Sequence, residues 1–176
     1  RALASRPAEF RRIVSAALET MVQDRYPVKA EIVPDSFRSV EAEGFSVHHS
    51  VLTRPGSAAR VPTIGIVPAG YAGKVVVVWL ETGGRAAAFE ADGRTPIAAI
   101  ARLLKDGVAV LVPDVFLTGA TGPAARTRVK NEETYAGFNL GYNPSIFANR
   151  VSDALTVIAF AQQRASAVQL VGVGQA

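Results

Sequence analysis

The sequence predicts an α/β fold of three layers, in which helices cover both faces of a mostly parallel sheet that follows an antiparallel hairpin. Residues 75–80, 108–112 and 168–171 are apolar runs, and such runs are typical of strands buried on both faces. Segments with helical periodicity separate these three runs. This alternation implies right-handed crossovers between parallel strands, with helices packed on both sides of the sheet.

Length and composition indicate one globular domain. The chain has 176 residues, of which 49% are hydrophobic and 19% charged, which excludes a disordered chain. We expect 1–176 to form a single domain and 1–43 to form an N-terminal helical or extended arm. No apolar run reaches the roughly 18 residues that span a bilayer, so no membrane partner is expected. The net charge is +4, but the basic residues are spread along the chain and have no aromatic residues interleaved among them. No nucleic-acid partner is therefore expected either.

Cysteine and histidine usage predicts neither a metal nor a cofactor. The chain contains no cysteine, which suits an oxidising compartment as well as the cytosol. We expect a secreted or periplasmic location, although the cysteine count does not decide it. His48 and His49 are adjacent and therefore point to opposite faces of a strand. They lack the spacing of metal ligands, and we expect each of them to have a structural role.

The N-terminal part predicts a helix and then a hairpin. Pro7 suits the first turn of a helix, and Pro27 requires that helix to end before Tyr26. We expect its apolar stripe to pack on the side of the domain. The stripe comprises Phe10, Ile13, Val14, Ala17, Leu18, Met21 and Val22. Residues 44–54 alternate with period two, turn chemistry follows, and 61–67 returns as the second strand of the hairpin.

Two further helices connect the apolar strands. One begins near Pro96 and ends at Gly107, where a left-handed glycine is expected. The other begins at Pro144, and its predicted buried stripe is Phe147, Val151, Ala154, Leu155, Ile158 and Ala161. Between 115 and 143 lies a long connection rich in Gly, Thr, Asn and Arg. Connections of this length are uncommon in compact domains unless they are functional or disordered.

The carboxyl ends of the parallel strands define the predicted site. Ligands of such sheets bind beyond those ends, which places 81–84, 114–122 and 172–176 on one rim. Glu81 and Asp114 are the candidate acidic side chains there. Each also has a structural explanation, because Glu81 can hydrogen-bond its loop and Asp114 is a common turn residue after proline.

An ordered set of segments resembles the α/β-hydrolase superfamily, in its acetyl xylan esterase and dienelactone hydrolase-like branch. The set comprises Glu81-Thr82-Gly83-Gly84 after a strand, a second strand (107–114) leading into a Pro-Asp turn, Arg150 and Asp153 on the next helix, and the final strand and turn (170–176). The resemblance implies a hydrolase fold and a small ester or carbohydrate ester as substrate. It further implies that Gly83 supplies a backbone N–H to the oxyanion hole.

The resemblance also places the nucleophile elbow at the last residues. Laid on Gly-x-Ser-x-Gly, the chain has Gly172 first, Gly174 at the nucleophile position, and Gln175 as the second oxyanion-hole donor. Glycine cannot attack a carbonyl, so no catalytic side chain is identified. Because the acid and the histidine of these enzymes follow the nucleophile, we expect a missing C-terminal half, supplied by a longer polypeptide or by a second chain that completes the sheet.

Two other functions are open. Gly172-Val173-Gly174 after a strand also begins the Gly-x-Gly-x-x-Gly fingerprint of Rossmann-type nucleotide binding. That fingerprint normally follows the first strand of its domain, whereas two buried strands precede it here. Alternatively, the 115–143 connection binds a carbohydrate or a partner protein through Tyr135, Phe138 and Tyr142.

Overall fold

A computed structural model describes residues 6–22, 27, 32–57, 59–122, 141 and 143–174, which form a six-stranded mixed sheet flanked by helices. The helices are α1 (Pro7–Val22), α2 (Ala98–Lys105) and α3 (Ile146–Ala161), and two 3₁₀ helices cover Gly84–Ala88 and Gly119–Thr121. The strands are β1 (Val33–Ala42), β2 (Phe45–Thr53), β3 (Val61–Pro68), β4 (Val75–Glu81), β5 (Ala109–Pro113) and β6 (Ala167–Val173). The α/β class predicted from the sequence is confirmed.

The three apolar runs are parallel neighbours, as predicted, but the expected burial on both faces is wrong for β6, whose residues are all exposed or half-buried. The sheet order is β1-β2-β3-β5-β4-β6, and β4 pairs in parallel with both β5 and β6. Val78 of β4 aligns with Leu111 on one side and with Leu170 on the other. All three strands therefore end on the same side of the sheet.

The antiparallel part is larger than the predicted hairpin. Strands β2 and β3 form that hairpin, but β1 pairs with β2 in front of it, and β3 pairs antiparallel with β5. Strand β1 lies within the segment assigned to an N-terminal arm. Its large apolar residues, Val33, Phe37 and Val40, follow one another at intervals of four and three instead of two, so the sequence does not show the period of a strand.

Alternate residues of the central strands enter two different cores. Val76 and Val78 pack toward α3 with Phe160, whereas Val77 and Trp79 pack toward α2 with Ile100. Both cores are built from buried aliphatic and aromatic side chains. Because helices cover both faces of β4, neither face of this strand contacts water, and this explains its unbroken apolar run.

The helix boundaries follow local chemistry. Helix α2 ends before Gly107, whose φ of 75° is the left-handed conformation expected there. Helix α3 begins after Ser145, whose Oγ accepts a 3.0 Å hydrogen bond from Ala148 N as an N-cap. No helix in the described part of the chain is both long and apolar enough to cross a membrane.

Helix α1 begins at Pro7 as predicted, but most of its apolar stripe is not covered. Val22 is buried and Val14 is half-buried, whereas the four largest side chains of the stripe remain exposed. The exposed fractions are 47% for Phe10, 43% for Ile13, 41% for Leu18 and 58% for Met21. The expected packing of the stripe against the domain is therefore wrong for these side chains. Residues 23–26 lie outside the described part.

Candidate functional site

The loops that follow the three parallel strands converge at one rim of the sheet. At the end of the β4–β6 ladder, Glu81 aligns with Val173. The next residue, Thr82, accepts a hydrogen bond through its carbonyl from Gly119 N at 3.5 Å. The end of β4 is thus in contact with the loop after β5 and adjacent to the end of β6.

Asp114 is the centre of the polar contacts at this rim. Asp114 is only 2% exposed to solvent. Its Oδ1 accepts from Arg85 N at 2.7 Å, and its Oδ2 accepts from Arg85 Nε at 2.8 Å and from Ala120 N at 3.3 Å. A buried carboxylate is stable only with such partners. Asp114 therefore joins the loop after β4 to the loop after β5.

Two glycines make room for the Asp114 carboxylate. Gly84 and Gly119 have φ of 60° and 51°, a region that side chains rarely adopt. A Cβ on either residue would lie deep inside van der Waals contact with Asp114 Oδ1. The second glycine of the Gly83-Gly84 pair is therefore required by close packing as well as by backbone conformation.

Glu81, the other acidic candidate, has a different partner. Its Oε2 accepts a 3.0 Å hydrogen bond from the indole Nε1 of Trp79, two residues earlier on the same side of β4. Glu81 and Asp114 thus share the rim but are engaged with different groups. The contacts of Glu81 and Asp114 are of the kind expected for a structural role, which the sequence allows for both residues.

The turn after Asp114 is held by α3. Leu117 has a left-handed φ of 57°, which is uncommon for a residue with a side chain. Arg150 donates from Nε to Phe116 O at 3.0 Å and from a terminal nitrogen to Leu117 O at 3.4 Å. Asp153 accepts from Phe116 N at 2.8 Å. Arg150 and Asp153, one helical turn apart, therefore fix the conformation of this turn.

Burial changes the acidity of Asp153. Desolvation raises the pKa of its carboxyl from 3.8 to about 6, against the smaller opposing effects of the Phe116 N–H and of Arg54. The residue is 8% exposed. The charge of Asp153 therefore changes near pH 6.

Gly174 lies at the end of β6, beside the loop after β4. Its φ is 75°, and a Cβ built on it would lie 3.4 Å from Thr82 Oγ1, an ordinary contact. Gly83, the first oxyanion-hole candidate, is exposed and precedes the 3₁₀ helix Gly84–Ala88. Gln175, the second candidate, lies outside the described residues, as do Tyr135, Phe138 and Tyr142.

The histidines point to opposite faces, as predicted. His48 stacks on Phe37 with 5.3 Å between ring centroids, and its Nε2 bonds Ser46 Oγ at 2.8 Å. The pKa of His49 is lowered, first by burial and then by the charges of Arg85 and Arg38. Within the described ranges, no group of three or more His, Asp or Glu residues is placed to hold a metal ion.

The sequence did not indicate Arg85 as a site residue. Its backbone N–H and its guanidinium both bind Asp114, 29 positions away. A single arginine after a glycine pair carries no distinctive pattern. The signal was its position directly after the predicted rim loop, where a charged side chain can meet an acidic residue of the neighbouring loop.

Comparisons with known proteins agree with this geometry at the level of the fold. The chain matches no protein-family model and no curated protein sequence. It superposes on a Bacteroides fragilis protein provisionally assigned as an acetyl xylan esterase, with TM-score 0.65, 12% identity and coverage of 95% of this chain and 47% of that chain. It also superposes on acetyl xylan esterase 1 from Thermoanaerobacterium sp. JW/SL YS485, with TM-score 0.57, 14% identity and coverage of 92% of this chain and 49% of that chain. This chain thus spans about half the length of each, and it has an α/β-hydrolase-like fold of the kind found in esterases.

Proposed function

We propose that this chain is an esterase-like pseudoenzyme that binds a small ester or carbohydrate ester at the rim without forming a serine acyl-enzyme. The observation that carries the proposal is Gly174. A nucleophile elbow holds its residue in a strained turn directly after a strand, and Gly174 follows β6 with φ of 75°. The backbone conformation suits a nucleophile, but the residue has no side chain to attack a carbonyl.

The fixed rim loops support binding. An oxyanion hole works because its N–H donors are held in place before the substrate arrives. Asp114 and Arg85 join two of the rim loops, and Arg150 and Asp153 hold the turn at Phe116. We propose the backbone N–H groups of Gly83 and Gln175 as the donors to the ester carbonyl. The acetyl xylan esterases on which the chain superposes make an acetylated carbohydrate the substrate class to test first.

We further propose that additional polypeptide, or a second chain, completes the sheet beside β6. This strand pairs with β4 on one side and is the last strand of the described sheet. Its Leu170 is 56% exposed. An exposed apolar edge is a site for pairing with another strand, and the acid and histidine of a hydrolase triad would follow in such a segment.

Rossmann-type nucleotide binding is not favoured. The Gly-x-Gly fingerprint belongs after the first strand of its domain, near the middle of the sheet. Here Gly172 and Gly174 lie at the end of β6, the last strand along the chain and the outermost strand beside β4. Binding through the 115–143 connection rests on aromatic residues outside the described part and has no further support.

The proposal is tested by comparing binding with hydrolysis. Isothermal titration with acetylated xylo-oligosaccharides and hydrolysis of 4-nitrophenyl acetate are measured on this chain and on the longest natural polypeptide that contains it. We expect saturable binding without hydrolysis above the buffer rate. Gly174→Ser should create turnover in a polypeptide that carries the acid and the histidine, whereas Gly172→Ser, two residues earlier and with open space around it, should not. Hydrolysis by the unaltered protein, or the absence of binding, would contradict the proposal.

A further inference from the structure

We infer that a cavity at the end of the sheet opposite the rim is a second ligand site, which binds a small aromatic carboxylate. Strand β3 runs antiparallel to β5, so Val67 lies toward the amino end of β5, whereas Gly65 aligns with Leu111 in the middle of that strand. Tyr71 precedes β4 and Arg164 precedes β6, which brings both to that end. This site is independent of the function proposed for the rim.

The cavity has the size and composition of a small-molecule site. Its volume is about 570 Å³, within the range of roughly 300 to 1,000 Å³ typical of ligand pockets. Among its lining residues are Phe37, His48, Tyr71, Leu111, Phe160 and Arg164. The described lining residues are mostly apolar and include no acidic side chain. A flat apolar ligand therefore fits between the sheet and α3.

Gly65 keeps the floor of the cavity open. It lies in the middle of β3, aligned with His48 on one side and with Leu111 on the other. A Cβ at this position would lie 3.2 Å from Leu111 Cδ2 and 3.8 Å from His48 Cβ. Glycine weakens the interior of a strand, and its presence there often marks the close approach of another group.

Two buried polar atoms have no partner among the described residues: His48 Nδ1 and Tyr71 OH. The His48 ring is already fixed by its stacking on Phe37 and by the bond from Nε2 to Ser46 Oγ. Buried polar atoms are nearly always hydrogen-bonded in folded proteins. Both residues line the cavity, and we take the two unbonded atoms as the partners of a polar substituent on the ligand.

Arg164 supplies the charge that selects a carboxylate. Its guanidinium carbon lies 3.6 Å above the centre of the Phe160 ring, while the residue as a whole is exposed. One terminal nitrogen binds Phe160 O at 3.5 Å and Gln163 Oε1 at 3.2 Å. A guanidinium held on an aromatic ring at a cavity opening is well placed to bind a carboxylate. The ligand would place its carboxylate at Arg164 and its ring inside.

The first test is calorimetric titration of the full chain with 6-hydroxy-2-naphthoate and with its neutral analogue 6-(hydroxymethyl)-2-naphthol. We expect one naphthoate per chain and weaker binding of the analogue. Arg164→Gln should weaken naphthoate binding by about tenfold and leave the analogue unchanged. The matched control is Arg102→Gln on α2, an exposed arginine on the opposite face of the sheet, which should change neither. Equal effects of the two substitutions, or no saturable binding of naphthoate, would overturn the inference.

Tyr71→Phe separates a ligand-binding role from a structural one. It removes the hydroxyl without changing the ring, so we expect several-fold weaker naphthoate binding. The Tm should not fall, because Tyr71 OH has no partner among the described residues. A lower Tm with unchanged affinity would show that the hydroxyl serves the fold and would contradict its place in the site. Gly65→Ala should also weaken binding, since its Cβ approaches Leu111 from the cavity floor.

Discussion

Asp114 and Arg85 form a two-point contact that joins two loops at the rim of the sheet. The carboxylate accepts from the Arg85 backbone N–H at 2.7 Å and from its Nε at 2.8 Å. The Asp114 side chain is 1% exposed and that of Arg85 is 27% exposed. The pair thus combines a hydrogen bond that fixes the backbone with an ion pair largely shielded from water.

Asp114→Asn is expected to destabilise the chain by about 3 kcal/mol. The amide can still accept from one N–H, but its NH₂ group would face a second donor, and the charge of Arg85 would lose its buried partner. Urea denaturation monitored by circular dichroism measures the change. Asp106→Asn, an exposed aspartate after α2, serves as the control and should change stability by less than about 0.5 kcal/mol. Similar losses for both variants would contradict a special role for Asp114.

Alanine at Gly84 or Gly119 should destabilise the chain more than alanine at Gly93. All three glycines have φ between 51° and 66°, so all three substitutions introduce the same backbone strain, about 1 to 2 kcal/mol. Gly93 has open space around it, whereas a Cβ at Gly84 or Gly119 would collide with Asp114. We expect an additional loss of about 2 kcal/mol at these two positions. Equal free energies of unfolding for the three variants would refute the collision.

The stability contributed by Asp153 should decrease as the pH rises. Because burial raises the pKa of its carboxyl from 3.8 to about 6, the folded chain binds the proton more tightly than the unfolded chain between these values. The stabilisation is complete below about pH 4 and is lost as the pH rises through 6.

Asp153→Asn retains an acceptor for Phe116 N but does not ionise. Between pH 4 and pH 7 its stability should therefore rise relative to that of the unaltered chain, by about 1 to 2 kcal/mol after allowance for solvent screening. Denaturation in urea at the two pH values measures the difference, with Asp106→Asn as the control. A relative stability that falls with pH would show that Asp153 ionises more readily in the folded state.

Leu170→Lys should reduce self-association of the chain. Leu170 is 56% exposed on β6, the last strand of the described sheet, and a lysine on an edge strand opposes pairing with another chain. Light scattering across a concentration series measures the effect. Gln169→Lys adds the same charge at the adjacent exposed position on the other face of β6, and it should have a smaller effect because it replaces no apolar surface. Equal reductions would mean that net charge alone is responsible.

The strands buried on both faces were predictable because each consists of consecutive apolar residues, a pattern that is visible in the sequence. Strands β4 and β5 carry apolar runs that no other element explains, and glycine at Gly107 marks the end of α2. Strand β1 was missed since its pairing with β2 comes mainly from backbone hydrogen bonds while most of its side chains are exposed. Exposed side chains are not constrained to alternate, and a strand of this kind leaves little periodicity in the sequence.

The candidate site was predictable only in part. The order of strands and helices predicts that 81–84 and 114–122 meet at one rim, and Asp114 and Gly119 do lie beside Gly84. The sequence does not reveal that Arg85 is the partner of Asp114. It also does not reveal that Asp153 accepts the hydrogen bond from Phe116 N. These contacts join residues that are 29 and 37 positions apart, and no spacing rule connects such positions.

The sequence by itself determined that this is an α/β chain with three parallel strands, of which β4 and β5 are buried, and that glycine occupies position 174 at the end of the last one. Both can be determined from consecutive residues, because an unbroken apolar run predicts a buried strand and because the residue at a given position does not depend on the fold. Only the tertiary structure decided that the Asp114 carboxylate fills the space left by Gly84 and Gly119, and that Gly65 leaves a cavity beneath α3. Close packing between distant segments sets both, and packing depends on three-dimensional neighbours that the order of residues does not specify.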